Sequence, residues 1–217
     1  LTEFSKELPD RFFDVGIAEG HAVAMAGGMA KQGLIPVFAV YSSFLQRGFD
    51  MLIHDISLDK LHAVFCVDRA GLVGADGQTH HGCFDPAYLT QIPGMTVLCP
   101  ASFAELRDML CHAICQVSGP VAIRYPRGGE RDYTAASDPA RCYITLQDGA
   151  DFTILSYGIL INEALKAAEL LAEKGISVRV IKLNRIAPLS EADVASMLSG
   201  TRRLLVLEDC IAAGCVG

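Results

Sequence analysis

Residues 63–84, AVFCVDRAGLVGADGQTHHGCF, decide how the rest of this chain is read. The apolar run Ala63–Val67 has the length and content of a buried strand, and it stops at Asp68-Arg69. A long Gly-rich loop follows, carrying Arg69, Asp76, Gln78, Thr79, His80 and His81. In an open parallel sheet, the loop leaving the carboxyl end of a strand is where ligands bind. A loop of this length and polarity is more often functional than not. The plainer alternative is a solvated connection with incidental histidines.

Working outward, strand and helix patterns alternate to both ends. Ala18–Lys31, rich in Ala, Met and Gly, predicts a closely packed helix; Ile35–Val40 predicts a strand and Phe44–Leu58 an amphipathic helix. Downstream, Met95–Leu98 is a short strand, and Ser102 caps a helix to Gln116, with Glu105 completing a capping box. Val121–Tyr125 is a strand ending in YPRGG. The stretch GGERDYTAASDPAR (128–141) is polar and turn-prone, and reads as a linker. Beyond it, strands at Phe152–Ser156, Ile176–Leu183 and Leu204–Glu208 alternate with helices at Leu160–Lys174 and Glu191–Leu198. The expectation is an α/β protein of two parallel-sheet units, 1–128 and 143–217, joined by 129–142. The first unit approaches its helix with no strand before it, and the last enters DCIAAGCVG and stops. Both observations read as a fragment or part of a larger assembly.

Composition narrows the classes. The 217 residues are 51% hydrophobic, enough for a sizeable core. A net charge of −7 without any basic tract speaks against nucleic-acid binding. No apolar run has the length of a membrane helix, and LTEFSKELPDRFF lacks the pattern of a signal peptide. Eight cysteines show no CxxC pair or metal-finger spacing, which fits buried thiols in a reducing compartment; Cys111 and Cys115, four apart on a helix, read as buried packing. A cytoplasmic location is expected.

Several residues carry chemistry. Glu19 opens a helix among Ile17, Ala18, Ala22 and Val23. Burial there raises a carboxyl pKa, which suits a proton shuttle; the commoner reading of the local sequence is a first-turn acid favoured by the helix dipole. Arg69 and Arg127 each follow directly behind a strand, so two guanidinium groups reach one sheet edge, where they can clamp a phosphate or carboxylate. Arg124, inside its strand, reads as a structural pair. Tyr41 and Arg47 fall near the same edge, with Phe44 either stacking on a flat ring or packing in the core. His80 and His81 point apart and lack ligand spacing, so acid–base or hydrogen-bonding work fits them better than a metal. No GxGxxG or phosphate-loop pattern occurs.

Taken together, FFDVGIAEGHAVAMAGG (12–28), YSSFLQRGFDMLIHD (41–55), DRAGLVGADGQTHHG (68–82) with Phe84-Asp85, and RYPRG (124–128) resemble the 1-deoxy-D-xylulose-5-phosphate synthase family, thiamine-diphosphate enzymes of the transketolase superfamily. The resemblance runs in order along essentially the whole chain. It implies a transketolase-type pyrimidine-binding domain followed by a truncated C-terminal domain. It also implies decarboxylation of pyruvate and transfer of two carbons to glyceraldehyde 3-phosphate, toward isoprenoid, thiamine and pyridoxal precursors. By the same resemblance Glu19 hydrogen-bonds the aminopyrimidine of the cofactor and drives its proton shift, reversing the plainer local reading, and Phe44 stacks on that ring. Tyr41, Arg69 and Arg127 surround the substrate phosphate, while Arg47, Asp76 and His80 line the pocket and act on the reacting groups.

Two departures qualify the resemblance. The residue after Glu19 is usually Gln in the family and is Gly20 here. The superfamily's GDG motif with a downstream Asn, which holds diphosphate and magnesium in a separate N-terminal domain, does not occur. The chain is therefore expected to supply one wall of the site and no metal ligand, to need that N-terminal partner, and to be inactive alone. The resemblance further implies a homodimer, with helix Ala18–Lys31 as the nominated face. The alternatives are a split transketolase, a 2-oxo acid dehydrogenase beta subunit, or a non-catalytic scaffold descended from one of these.

Overall fold

The computed structural model describes residues 1–217. In chain order the first unit contains α1 (Thr2–Glu7), α2 (Glu19–Lys31), β1 (Val37–Tyr41), a helical run made of α3 (Ser42–Leu45), α4 (Phe49–Met51) and a π-helical stretch Leu52–Ser57, then β2 (Val64–Asp68), α5 (Asp85–Leu89), β3 (Thr96–Leu98), α6 (Phe103–Cys115) and β4 (Val121–Arg124). The second contains β5 (Tyr143–Gln147), β6 (Phe152–Tyr157), α7 (Ile161–Ala172), β7 (Val178–Leu183), β8 (Arg185–Ala187), α8 (Glu191–Met197) and β9 (Leu204–Leu207). No helix is long and apolar enough to cross a membrane.

The α/β architecture matches the alternating pattern, with one amendment in each sheet. The first sheet has the order β1-β2-β4-β3-β8 and the second β5-β7-β6-β9. The strands read from the sequence pair in parallel, but β8 runs antiparallel to β3 and β5 antiparallel to β7. Sequence pattern missed both edge strands. Arg185–Ala187 is too short to show a two-residue period, and Tyr143–Gln147 is only half-buried, without the apolar run of the inner strands.

Strand β8 changes the relation between the units. It follows β7 in sequence yet completes the first sheet, and one apolar core takes Val40, Phe65, Val67 and Leu89 from the first unit with Leu155, Tyr157, Ile181 and Leu183 from the second. The connecting residues are also fastened. Tyr133 is buried and donates its hydroxyl to Glu105 Oε1 at 3.0 Å; Ser137 Oγ donates to the same oxygen at 2.6 Å. Ser102 caps α6 by accepting from the Glu105 amide at 3.1 Å. The Glu105 carboxylate does not return to Ser102, as a capping box requires; it accepts from the Ala101 amide and meets Lys182 Nζ at 3.0 Å, both side chains fully buried.

All eight cysteines are free thiols. Cys66, Cys99 and Cys142 are buried as expected, but Cys111 and Cys115 are exposed. The inward stripe of α6 is Glu105, Met109 and Ala113, and positions two residues on lie about half a turn away, on the opposite face.

Candidate active site

The register of the first sheet assembles the site. Tyr41 pairs with Asp68 and Val67 with Arg124, so the carboxyl ends of β1, β2 and β4 finish level. From there β1 passes Tyr41 into the run carrying Phe44 and Arg47, β2 delivers Arg69, and the segment after β4 delivers Arg127. Arg69 has a φ of 63°, a left-handed backbone uncommon for residues other than glycine, and its amide is held by the Asp68 carboxylate at 2.7 Å.

The side chains form one continuous contact path. Glu19 Oε1 accepts from Arg47 Nη1 at 3.4 Å, with the carboxylate 9% exposed. The Arg47 guanidinium lies 5.3 Å from the Phe44 ring centre, and Phe44 lies 5.3 Å from Tyr41. His80 sits 5.2 Å from Phe44 and 6.3 Å from Tyr41. The Arg69 guanidinium stacks over Tyr41 at 3.8 Å and pairs with Asp68 and Asp76. Asp76 Oδ1 then meets Arg127 Nε at 2.9 Å. All eight residues to which the resemblance gives a role lie on this path; His81 does not.

The path also revises two readings. Asp76, expected to face the reacting groups, has one oxygen on each arginine, so it sets their spacing. Phe44 is neither sealed in the core nor fully free: it is half-buried between Arg47, Tyr41 and His80. His81, as expected, points elsewhere; its Nδ1 accepts from the Val73 amide at 3.1 Å and ties the loop to itself. His80 Nδ1 meets Thr79 Oγ1 at 3.0 Å, which leaves Nε2 for a ligand.

Residues not singled out as site residues hold this loop in place. Asp85 receives Arg124 Nε at 2.9 Å and Nη2 at 3.2 Å; Asp209, from the second unit, lies 3.7 Å from the same guanidinium. Arg124 is thus the structural pair its mid-strand position implied. Asp85-Pro86 at the first turn of α5 is a helix-start signal that marks where the loop ends. Asp209, distant in sequence, carries no such signal.

Glycines make the close approaches possible. A Cβ at Gly82 would fall 2.1 Å from the Arg69 carbonyl oxygen and 2.7 Å from Ser42 Cβ. Gly82→Ala is expected to cost about 1–3 kcal/mol by overpacking backbone against backbone, and to expose the 70–82 loop to proteolysis. Denaturation midpoints and cleavage mapping check both effects; an unchanged midpoint contradicts the packing. At Gly20 a side chain would displace the Met51 methyl, 2.6 Å from the Cβ position.

An aminopyrimidine-type ring fits what is present. Glu19 offers a buried carboxylate with one oxygen outside its contact to Arg47, and Phe44 offers an aromatic face. Ser42 Oγ and Ser43 Oγ, at the start of α3 just before Phe44, are buried without a hydrogen-bond partner.

The transketolase pyrimidine-binding domain matches residues 1–131 and the transketolase C-terminal domain residues 143–217. Relatives named 1-deoxy-D-xylulose-5-phosphate synthase include those of Halalkalibacterium halodurans (47% identical), Clostridium kluyveri (48%) and Chlorobium luteolum (44%), each aligned with 100% of this chain. The chain spans 35% of the length of each. Among solved structures, a split-gene transketolase in an inactive beta4 tetramer superposes with a TM-score of 0.87 at 29% identity, covering 99% of this chain and 70% of that one. With the pyrimidine-binding and C-terminal domains matched in order along its sequence, the chain belongs to the transketolase family.

Proposed function

We propose that this chain forms the pyrimidine-binding wall of a 1-deoxy-D-xylulose-5-phosphate synthase, joining two carbons of pyruvate to glyceraldehyde 3-phosphate. The observation that carries this reading is the unbroken path from Glu19 to Arg127, which sets a buried carboxylate and two arginines on one sheet edge. Thiamine diphosphate, when bound, supplies the carbanion chemistry. Diphosphate and magnesium ligands fall to a partner domain, since the chain has no GDG motif.

The chain's own residues divide the remaining work. Glu19 holds a proton against a ring nitrogen through the oxygen not facing Arg47, and its burial keeps bulk water from competing. Phe44 and Tyr41 give the apolar surface that orients flat groups. Arg69 uses Nε on Asp76 and Nη1 on Asp68, and Arg127 uses Nε on Asp76, so Nη2 of the first and both Nη groups of the second are left to grip a phosphate. His80 Nε2 can donate to or accept from an aldehyde or hydroxyl oxygen.

The test is 1-deoxy-D-xylulose 5-phosphate formation from pyruvate and glyceraldehyde 3-phosphate, with thiamine diphosphate and magnesium. The chain alone is expected to give none, and addition of the diphosphate-binding half of a relative is expected to start turnover. Robust turnover by the chain alone contradicts the division of labour. A split transketolase is the second reading, favoured by the superposition on the split-gene enzyme; a ketose phosphate replacing pyruvate as the donor in the reconstituted mixture decides for it.

A further inference from the structure

Outside the candidate active site, one group of side chains has a donor set that the proposed reaction does not use. In the turn after β9, a carboxylate oxygen of Glu208 and the sulfurs of Cys210 and Cys215 all lie within 4.8 Å of one another, half-buried. The carboxylate is fixed from several sides: Oε2 accepts from the Tyr157 hydroxyl at 2.7 Å and the Val216 amide at 3.0 Å, and Oε1 accepts from the Gly217 amide at 2.8 Å. Cys210 Sγ is 3.6 Å from both Glu208 Oε2 and the Tyr157 hydroxyl, and Cys215 Sγ donates to the Ala212 carbonyl at 3.2 Å.

From this convergence we infer that Glu208, Cys210 and Cys215 form a binding site for a thiophilic divalent cation, zinc being the best match. Two thiolates and one carboxylate are a donor set zinc accepts, and three protein ligands leave a fourth position for water. In a tetrahedral zinc site with bonds of about 2.0–2.3 Å, ligand atoms stand roughly 3.5–3.8 Å apart; Cys210 and Glu208 already stand at 3.6 Å, and Cys215 closes by at most about 1 Å on binding. Each cysteine releases its thiol proton to solvent, and the cation takes the place of both protons.

Closure of this turn bears on the loop behind which it lies. The Ile211 amide donates to the Cys83 carbonyl at 3.0 Å, Asp209 lies 3.7 Å from Arg124, and Gly214 lies against Ala87. A cation here therefore braces the far side of the segment that carries Asp76 and His80. Cation binding and rigidity at this turn do not depend on the proposed reaction.

The test uses the reduced 217-residue chain and cobalt(II) as a spectroscopic probe. One cobalt per chain is expected, with a thiolate-to-cobalt charge-transfer band that zinc displaces. Cys210→Ser and Cys215→Ser should each abolish the band, while the Cys111→Ser/Cys115→Ser double variant should keep it. Glu208→Gln should weaken cobalt binding by about tenfold or more. Mapping by alkylation in the wild type avoids any folding defect in the variants: zinc should slow modification of Cys210 and Cys215 by about tenfold and leave Cys111 unaffected. Absence of the band, a band that depends on Cys111 and Cys115, or cysteines 210 and 215 joined as a disulfide instead of binding metal each overturns the site.

Discussion

Glu19→Gln, in the chain reconstituted with a diphosphate-binding half, is expected to lower turnover by about 10²–10⁴-fold, the range lost when a positioned acid–base group is removed. The substitution keeps the shape of the side chain and removes its ability to exchange a proton. Folding should hardly change. The one ion-pair partner, Arg47, is largely exposed at 3.4 Å, and such contacts contribute little to stability. A melting curve superimposable on the wild type, beside a collapse in turnover, is the expected pair of results. Loss of less than tenfold, or a parallel loss of stability, contradicts a proton-transfer role and returns Glu19 to its plainer reading as a first-turn helix acid. Glu19→Asp should also be impaired, because the shorter side chain withdraws the carboxylate from a site defined by its reach.

Much of this site was legible because strands ending in charged residues place those residues at one edge. Arg69 directly after β2 and Arg127 just after β4 needed only the parallel order of the strands to be brought together, and the alternating pattern implied that order. The same reasoning could not show that Asp76 lies between them. That pairing depends on how a Gly-rich loop folds back, with Gly74 and Gly77 at positive φ, and loop conformation has no periodic signal. Glu19 shows a similar boundary. Its small, apolar neighbours announced burial, whereas the approach of Arg47 depends on packing of the 42–57 run against α2. The misreadings have local causes too: α6 turns Met109 and Ala113 inward, leaving Cys111 and Cys115 outside, and β8 is three residues long. Most opaque was the fusion of the two units. Glu105, Tyr133, Ser137, Lys182 and Asn184 lie in separate segments; Glu105 reads locally as a capping-box residue and Tyr133 and Ser137 as linker, and no local pattern joins them to Lys182 and Asn184.

That junction carries the largest expected effect on stability. Lys182→Met should destabilise the chain by about 3–5 kcal/mol, the usual result of leaving one partner of a buried ion pair without the other. Lys182 Nζ stands 3.0 Å from Glu105 Oε2 and 2.6 Å from Asn184 Oδ1, with no solvent reaching the Lys182 or Glu105 side chains. Once the ammonium is gone, the Glu105 carboxylate keeps the neutral hydroxyls of Tyr133 and Ser137 and the Ala101 amide but loses its only cation. Glu105→Gln added to Lys182→Met should recover part of the loss, because it removes the orphaned charge and keeps one acceptor oxygen for the Tyr133 and Ser137 hydroxyls, while the Ala101 amide loses its acceptor. Titration offers an independent check. Burial pushes Lys182 below the usual lysine value of 10.5, although Glu105 pulls the other way. Between that lowered value and 10.5 the unfolded chain binds more protons than the folded one, so wild-type stability should rise with pH across the window. The rise should be missing from Lys182→Met. A midpoint shift worth under about 1 kcal/mol, or wild-type and variant stabilities that run parallel with pH, would mean that the junction is held by its apolar core and not by this pair.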